Sequence, residues 1–238
     1  MDGFTYVNIF DTKGFEYIVI IIFLLLLIPF SLILNDTWEA KTKPRKAMRF
    51  ISDKINSIPH GHYFTKNHTW THLEKSGDAV MGLDEILLHL TGEVTVNYLK
   101  GPGDMIRKGD LVAEINHNSH KLRIFSPISG RISGINSLLT ELPELINEDP
   151  YNKGWLYAIR PSDWKSETHH YFLADEAKQW LKMETDKMKD FLAIKSEMYS
   201  PGTVAITLQD GGELGERVLT DMPEQLWQDF QKEFLDPE

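Results

Sequence analysis

Two histidines, His117 and His120, stand three residues apart in the polar segment Asn116–His120. Imidazoles at such a spacing can bind one metal ion when further ligands join them. The chain has no cysteine, and no nearby carboxylate completes a ligand set in the sequence. We therefore predict no metal site, and a histidine-based metal sensor stays a third hypothesis. Four further histidines precede the predicted core: His60, His62, His68 and His72.

Other catalytic chemistry has little support in the sequence. The lack of cysteine excludes disulfides, iron–sulfur ligation and a thiol nucleophile from this chain. No glycine-rich phosphate loop or nucleophile elbow is present. Nothing in the sequence marks Glu144, Glu148 or Asp149 as catalytic. We predict no catalytic residue and a protein that is not an enzyme, and the formal charge of −10 argues against nucleic acid as a partner.

The element that positions the histidines is a predicted β-hairpin. Apolar residues alternate in two strands, Leu111–Ile115 and Leu122–Ser126, and the polar turn Asn116–His120 lies between them. A second turn, Pro127–Gly130, follows. The two histidines are therefore expected at the tip of the hairpin, with Asn118 and Ser119 between them.

Three further motifs accompany this hairpin: His68-Thr69-Trp70, the run Pro143–Tyr151, and Gly154-Trp155. With the hairpin, and in this order, they resemble the glycine cleavage system H proteins. The resemblance covers residues 63–192. It implies a fold that is mainly β with α, a lipoyl-type barrel-sandwich hybrid in which two small antiparallel sheets pack face to face, followed by C-terminal helices. It also places Trp155 in the core.

The same resemblance bears on a modified residue. In that family the hairpin turn presents a lysine that carries lipoic acid. The stretch from Gly109 to Pro127 aligns without a gap, and Ser119 then takes the place of the lysine. A hydroxyl cannot form the amide, so we predict no modified residue and no cofactor. Lys121 lies two residues later, and lipoate on Lys121 is the alternative.

The N-terminal region predicts a membrane anchor. After a short segment, residues 1–16, the stretch Tyr17–Leu34 is apolar and uncharged, and it is long enough to span a bilayer as a helix. A signal peptide is the rival interpretation, but no basic segment precedes the stretch and no small-residue cleavage pattern follows it. Basic residues dominate the linker, residues 35–62. The positive-inside rule then predicts a single-pass protein with its N-terminus outside and its large domain in the cytoplasm.

Residues 193–238 form an extension beyond the family pattern. Thr203–Leu208 alternates as a strand. Asp221 is predicted to cap a helix, with Glu224 at the third helical position. That helix has an apolar face that must be buried on its own domain or on a partner, and the sequence leaves both alternatives open.

These observations predict a non-catalytic, membrane-anchored scaffold or accessory subunit of a membrane-bound enzyme complex, for example of respiratory or electron-transfer type. Its partners would be the other subunits of that complex, together with membrane lipid around Tyr17–Leu34. The predicted docking residues are at the hairpin tip: His117, Asn118, Ser119 and His120. The alternative function is a lipoate-carrying protein of a glycine-cleavage-type system, modified at Lys121.

Overall fold

The structure is a computed structural model that describes residues 17–27, 58–199 and 214–237. The chain divides into two compact units, residues 1–49 and residues 50–238. In the first unit, residues 17–27 form a helix, α1, whose side chains are exposed. Among the residues that the structure describes, no helix has both the length and the apolar character needed to cross a bilayer. Residues 28–34 of the predicted span lie outside the described residues, as do residues 1–16 and most of the linker.

The second unit is built on two antiparallel sheets. The larger has seven strands in the order β10-β1-β2-β3-β9-β8-β5, and the smaller has three in the order β4-β6-β7. The strands of the larger sheet are β1 (Tyr63–Phe64), β2 (Thr69–Leu73), β3 (Ala79–Leu83), β5 (Met105–Ile106), β8 (Gly130–Ile135), β9 (Tyr157–Pro161) and β10 (Phe172–Leu173). Those of the smaller sheet are β4 (Thr95–Tyr98), β6 (Leu111–His117) and β7 (His120–Phe125).

The core lies between the two sheets, because each strand turns alternate apolar side chains inward. Trp70, Phe64 and Tyr157 from the larger sheet are fully buried, as are Ile115 and Leu122 from the smaller sheet. A direct hydrogen bond also joins the sheets, since the Tyr157 hydroxyl donates to the carbonyl of Val112 at 2.6 Å. The prediction of a sheet-rich, lipoyl-type fold with C-terminal helices is confirmed.

Trp155 is placed differently from the sequence prediction. Its side chain is only partly buried at the margin of the core and lines a surface groove with Tyr151 and Asn152. The residue in the corresponding core role is Trp70, whose indole Nε1 donates to the carbonyl of Leu83 at 2.9 Å. The prediction that Trp155 belongs to the buried core is therefore wrong, because its side chain packs against the outside of the core and is only partly covered.

The helix α2 covers Glu85–Thr91, and a side-chain cap fixes its start. Asp84 is its N-cap, and one carboxylate oxygen accepts from the backbone N–H of Leu87 at 2.9 Å. The other accepts from Nδ1 of His68 at 2.7 Å, and both side chains are completely buried. The cap therefore also anchors the turn between β1 and β2, where His68 has a positive φ of 56°.

Short helices connect the later strands, and two longer segments close the domain. The short helices are α3 (Leu138–Glu141), α4 (Leu145–Glu148) and α5 (Trp164–Thr168). The long helix α6 runs over Ala174–Tyr199, so it continues past Leu192, where the sequence ends the family-like region. After residues 200–213, which are not described, come the 3₁₀ turn Val218–Asp221, helix α7 (Glu224–Phe230) and the wide turn Gln231–Leu235. The predicted strand Thr203–Leu208 lies outside the described residues.

The predicted cap of α7 is wrong. Asp221 ends the preceding 3₁₀ turn, and Pro223 occupies the N-cap position without a side-chain hydrogen bond. Because Glu224 is the first helical residue, its carboxylate does not return to cap the helix. It contacts the hairpin instead, as described below.

Candidate functional site

The hairpin β6–β7 is longer and its turn is tighter than the sequence indicates. Asn116 pairs with Lys121 and His117 pairs with His120, so only Asn118 and Ser119 form the turn. Asn118 has a positive φ of 53°, a conformation that asparagine tolerates better than most residues. Both turn residues are exposed. The prediction of a five-residue turn over Asn116–His120 is therefore wrong, while the prediction of the hairpin is confirmed.

Ser119 and Lys121 occupy different places on this hairpin. Ser119 is at the exposed tip, whereas Lys121 is a strand residue. The Lys121 ammonium lies 3.6 Å from a carboxylate oxygen of Glu114, on the neighbouring strand. Glu114 in turn accepts from the amide of Asn97 at 3.2 Å. The amine of Lys121 thus belongs to a cross-strand polar row, whereas Ser119 is an exposed residue of the turn.

The two tip histidines are held by other parts of the chain. His117 donates its Nδ1 hydrogen to the carbonyl of Glu93 at 2.6 Å. His120 donates from Nδ1 to a carboxylate oxygen of Glu224, also at 2.6 Å. This hydrogen bond from His120 is the main reason why the pKa of the Glu224 carboxyl lies below its ordinary value.

Both imidazoles also lie parallel to one indole, that of Trp227. The ring centroids are 6.4 Å apart for His117 and 4.9 Å apart for His120, with interplanar angles of 12° and 7°. Trp227 itself is buried, and its Nε1 donates to the carbonyl of Leu219 at 2.9 Å. The histidine pair is therefore a packing surface for the C-terminal segment. In the described part of the chain, no three His, Asp or Glu side chains are grouped closely enough to hold a metal ion.

The C-terminal segment continues along β7 beyond the histidines. The side-chain amide of Gln231 accepts from the N–H of Arg123 at 2.7 Å and donates to its carbonyl at 3.3 Å. The Arg123 guanidinium reaches both carboxylate oxygens of Asp236 at 3.0 Å. The apolar face of this segment is buried on its own domain: Leu226, Trp227, Phe230, Phe234 and Leu235. This answers the question that the sequence left open.

The four earlier histidines do not form one cluster. His62 stacks on His72 with ring centroids 4.8 Å apart, and burial lowers the pKa of His62. His68 is buried against Asp84, as described above, and the backbone carbonyl of His60 lies 3.4 Å from the His62 ring.

Sequence reasoning missed Glu224, Trp227 and Gln231 as neighbours of the tip. The available signal was the amphipathic pattern of the C-terminal helix, which shows that a face is buried without naming the surface that it covers.

Two antiparallel sheets with a two-residue hairpin turn are the fold that the resemblance to lipoyl-like domains predicts. The sequence profile described as "Glycine cleavage H-protein" matches residues 62–188, more than half of the 238 residues. The chain belongs to the glycine cleavage H-protein family. The segment that covers β7, residues 214–237, lies outside the matched region.

Two relatives agree with this assignment, and one solved structure can be compared with the chain. The glycine cleavage system H protein of Anaeromyxobacter sp. is 34% identical over 106 residues, which cover 44% of this chain and 82% of the relative. The H protein of Magnetococcus marinus is 37% identical over 108 residues, covering 45% and 76%. The crystal structure of the H protein of Mycobacterium marinum is similar with a TM-score of 0.45 and 22% identity, covering 52% of this chain and 99% of that one.

Proposed function

We propose that this protein is a non-catalytic, membrane-anchored accessory subunit in which the hairpin tip docks to a partner and bears no lipoyl group. The observation that supports this most directly is the side chain at the tip. Ser119 stands at the exposed turn, and its hydroxyl cannot form the amide that joins lipoate to a carrier. A family member without an acylable amine at this point has kept the fold but not the means of carrying the group.

The position of Lys121 supports the same proposal. A carrier arm must swing between enzymes, so its attachment point has to project from the domain. Lys121 lies within β7, opposite Asn116, and its ammonium is 3.6 Å from Glu114. An amide at this nitrogen would remove the charge of the lysine and leave Glu114 without its ionic neighbour. The arm would also start beside the sheet surface and not at the turn.

The membrane anchor rests on the sequence. Tyr17–Leu34 is apolar, Lys13 is the only basic residue before it, and several lysines and arginines follow it within the linker. This asymmetry is the basis for proposing a single pass with the domain in the cytoplasm. The proposed partners are the other subunits of a membrane-bound complex, for instance one of respiratory type.

For docking, the geometry favours a rigid tip. His117 and His120 are tied to Glu93, Glu224 and Trp227, whereas Asn118 and Ser119 are exposed. A partner would thus meet a two-residue turn on a fixed base. Ordering such a surface on binding costs little conformational entropy, which is an advantage for a docking element.

The docking proposal is tested by recovering partners of the full chain in mild detergent, with an N-terminal tag. The double variant Asn118→Gly, Ser119→Ala keeps a residue that accepts positive φ at position 118, so the fold should be preserved. We expect it to lose the partner complex, whereas Lys75→Ala, in the exposed β2–β3 turn, should retain it. An intact complex with the double variant would overturn docking through the tip.

The alternative, a lipoate carrier of a glycine-cleavage-type system modified at Lys121, is favoured by family membership and by the exposure of that side chain. Intact-mass measurement of the native protein separates the two. We expect the unmodified mass. A lipoyl increment that disappears in Lys121→Arg would establish the carrier, because arginine keeps the charge and lacks the acylable amine.

A further inference from the structure

The smaller sheet has an open edge at β4. Its strands lie in the order β4-β6-β7, so β4 pairs with β6 on one side only. Antiparallel pairs alternate between those that exchange both backbone hydrogen bonds and those that exchange none. The N–H of Leu99 donates to the carbonyl of Val112 at 2.9 Å, so β4 bonds to β6 at alternate residues, through Leu99 and Asn97. The N–H and carbonyl groups of Val96 and Tyr98 therefore point away from β6.

The outward backbone groups of Val96 and Tyr98 have no hydrogen-bond partner within the described part of the chain. Backbone N–H and carbonyl groups are strong hydrogen-bonding groups, and folded proteins pair almost all of them when water is excluded. A row of such groups along a strand is a template on which another strand can add. The outer side of β4 is therefore a candidate site for strand addition.

The other sheet edges are better protected or shorter. β7 carries Lys121 and Arg123, and the side chain of Gln231 covers the backbone of Arg123. β5 and β10, at the edges of the larger sheet, have two residues each. The sequence of β4 is Thr-Val-Asn-Tyr, without the charged residue or proline that commonly keeps an edge from pairing. Among the described strands, β4 is thus the edge best suited to pair with another chain.

Partly exposed leucines lie beside this edge. Leu99, directly after β4, is 42% exposed. The Tyr98 hydroxyl donates to the carbonyl of Asn136 at 3.0 Å, which brings the chain just before α3 next to β4. Leu138 begins α3 and Leu142 follows it, and they are 50% and 45% exposed. Apolar side chains grouped on a surface are typical of a contact with another protein.

We propose that β4 pairs with β4 of a second copy of this chain, antiparallel about a two-fold axis at Asn97. Val96 of each copy then faces Tyr98 of the other, and each such pair exchanges both backbone hydrogen bonds. The four outward groups of each copy are all satisfied, so the edge is complementary to itself. Thr95 and Asn97, the exposed side chains of the strand, are uncharged, and no like charges meet there. The two copies form one continuous sheet with three strands from each.

Cysteine cross-linking tests this contact cleanly, because the chain has no cysteine of its own. In the proposed register Asn97 faces Asn97 of the second copy as a pair without backbone hydrogen bonds. The Cα atoms of such a pair are about 4.5 Å apart, which is within the range of a disulfide. The full chain is oxidised in detergent micelles. We expect Asn97→Cys to give at least ten times more covalent dimer than Ser133→Cys, a control at an exposed strand position of the larger sheet.

A second pair of variants tests whether backbone hydrogen bonds hold the two strands together. Val96→Pro removes an N–H that points away from β6, so the pairing of β4 with β6 keeps its hydrogen bonds. Proline is tolerated on this side of an edge strand. In the Asn97→Cys background, Val96→Pro should lower the yield of covalent dimer at least fivefold. Val96→Ala also loses the valine side chain but keeps the N–H, and it should retain most of the yield.

Two outcomes would overturn the proposal. The first is an equal yield of covalent dimer for Asn97→Cys and Ser133→Cys, which would leave the edge to water or to a strand of a different protein. The second is an equal loss of yield for Val96→Pro and Val96→Ala. The first comparison involves no proline, so it decides the proposal even if Val96→Pro fails to fold. Neither comparison needs the partner that is proposed to dock at the hairpin tip.

Discussion

The imidazole of His120 lies flat on the indole of Trp227, with 4.9 Å between the ring centroids and 7° between the planes. This contact joins the turn end of the hairpin to a segment that follows it by about a hundred residues and lies outside the family match. The same histidine donates to Glu224, in the first turn of α7. The C-terminal segment is therefore an integral part of the surface around the tip.

Replacing Trp227 and replacing Trp155 with alanine should lower the stability of the domain by different amounts. Trp227→Ala should cost about 3–5 kcal/mol, since the side chain is 2% exposed and packs on the preceding 3₁₀ turn and on the tip histidines. Trp155→Ala is the control and should cost less, because Trp155 is only partly buried. Urea unfolding of the full chain in detergent gives both values. Equal losses would show that Trp227 is not a core residue.

The Glu224–His120 contact should make stability depend on pH in the acid range. The pKa of the Glu224 carboxyl is lowered in the folded state from its ordinary value of 4.5. Its contribution is therefore complete above about pH 4.5 and is lost as the pH falls toward the lower, folded-state pKa. We expect the stability difference between the wild type and Glu224→Gln to be constant from about pH 5 to about pH 6, above the ordinary carboxyl pKa of 4.5. Below about pH 4.5 this difference should shrink. A difference that grows on acidification would contradict this sign.

Asp84 should be more important than an ordinary helix cap. Asp84→Ala removes the acceptor for Leu87 and also leaves the buried Nδ1 of His68 without a partner. The expected loss is about 2–4 kcal/mol, the sum of a lost cap and an unsatisfied buried donor. Asp163 caps the exposed helix α5 through Ser166 but has no buried histidine. Asp163→Ala should cost about 1 kcal/mol, and a similar loss for both variants in urea unfolding would exclude the contribution of His68.

Gly82 should not tolerate a side chain, because the indole of Trp70 covers it. A Cβ at this position would lie 2.5 Å from the Trp70 ring, and the pairing of the two residues on adjacent strands fixes their separation. Gly82→Ala should therefore cost about 1–3 kcal/mol through overpacking. Gly134→Ala is the matched control, since its nearest neighbour would be 4.0 Å away. Thermal unfolding that shifts equally in both variants would show that Trp70 moves aside freely.

The fold was predictable from the sequence because its signals are local or belong to the family. Strand alternation predicts the hairpin. The resemblance supplies the order of the remaining elements. The predictions that failed concern the exact end of a strand and the burial of a single side chain. The turn consists only of Asn118 and Ser119, and Trp155 is partly exposed. A polar residue near a turn is compatible with both strand and turn, so composition cannot fix where the pairing stops.

The surroundings of the tip were not predictable, for a different physical reason. An amphipathic pattern shows that Trp227 and Phe230 are buried, but any apolar surface would satisfy it. The contacts that select β7 are polar and distant in sequence: Glu224 with His120, Gln231 with Arg123 and Asp236 with Arg123. The sequence alone treats His117 and His120 as exposed turn residues. The structure shows them supporting a helix.

The pairing of Gln231 with Arg123 bears on how copies of this protein behave at high concentration. An edge strand with free N–H and carbonyl groups is a template on which a strand of another molecule can add. The side-chain amide of Gln231 forms hydrogen bonds with both the N–H and the carbonyl of Arg123. A side chain has no further backbone groups with which another strand could pair. The outer edge of β7 is therefore covered at Arg123. We expect a chain truncated before Glu224 to expose the outer edge of β7 and to self-associate more readily through that edge.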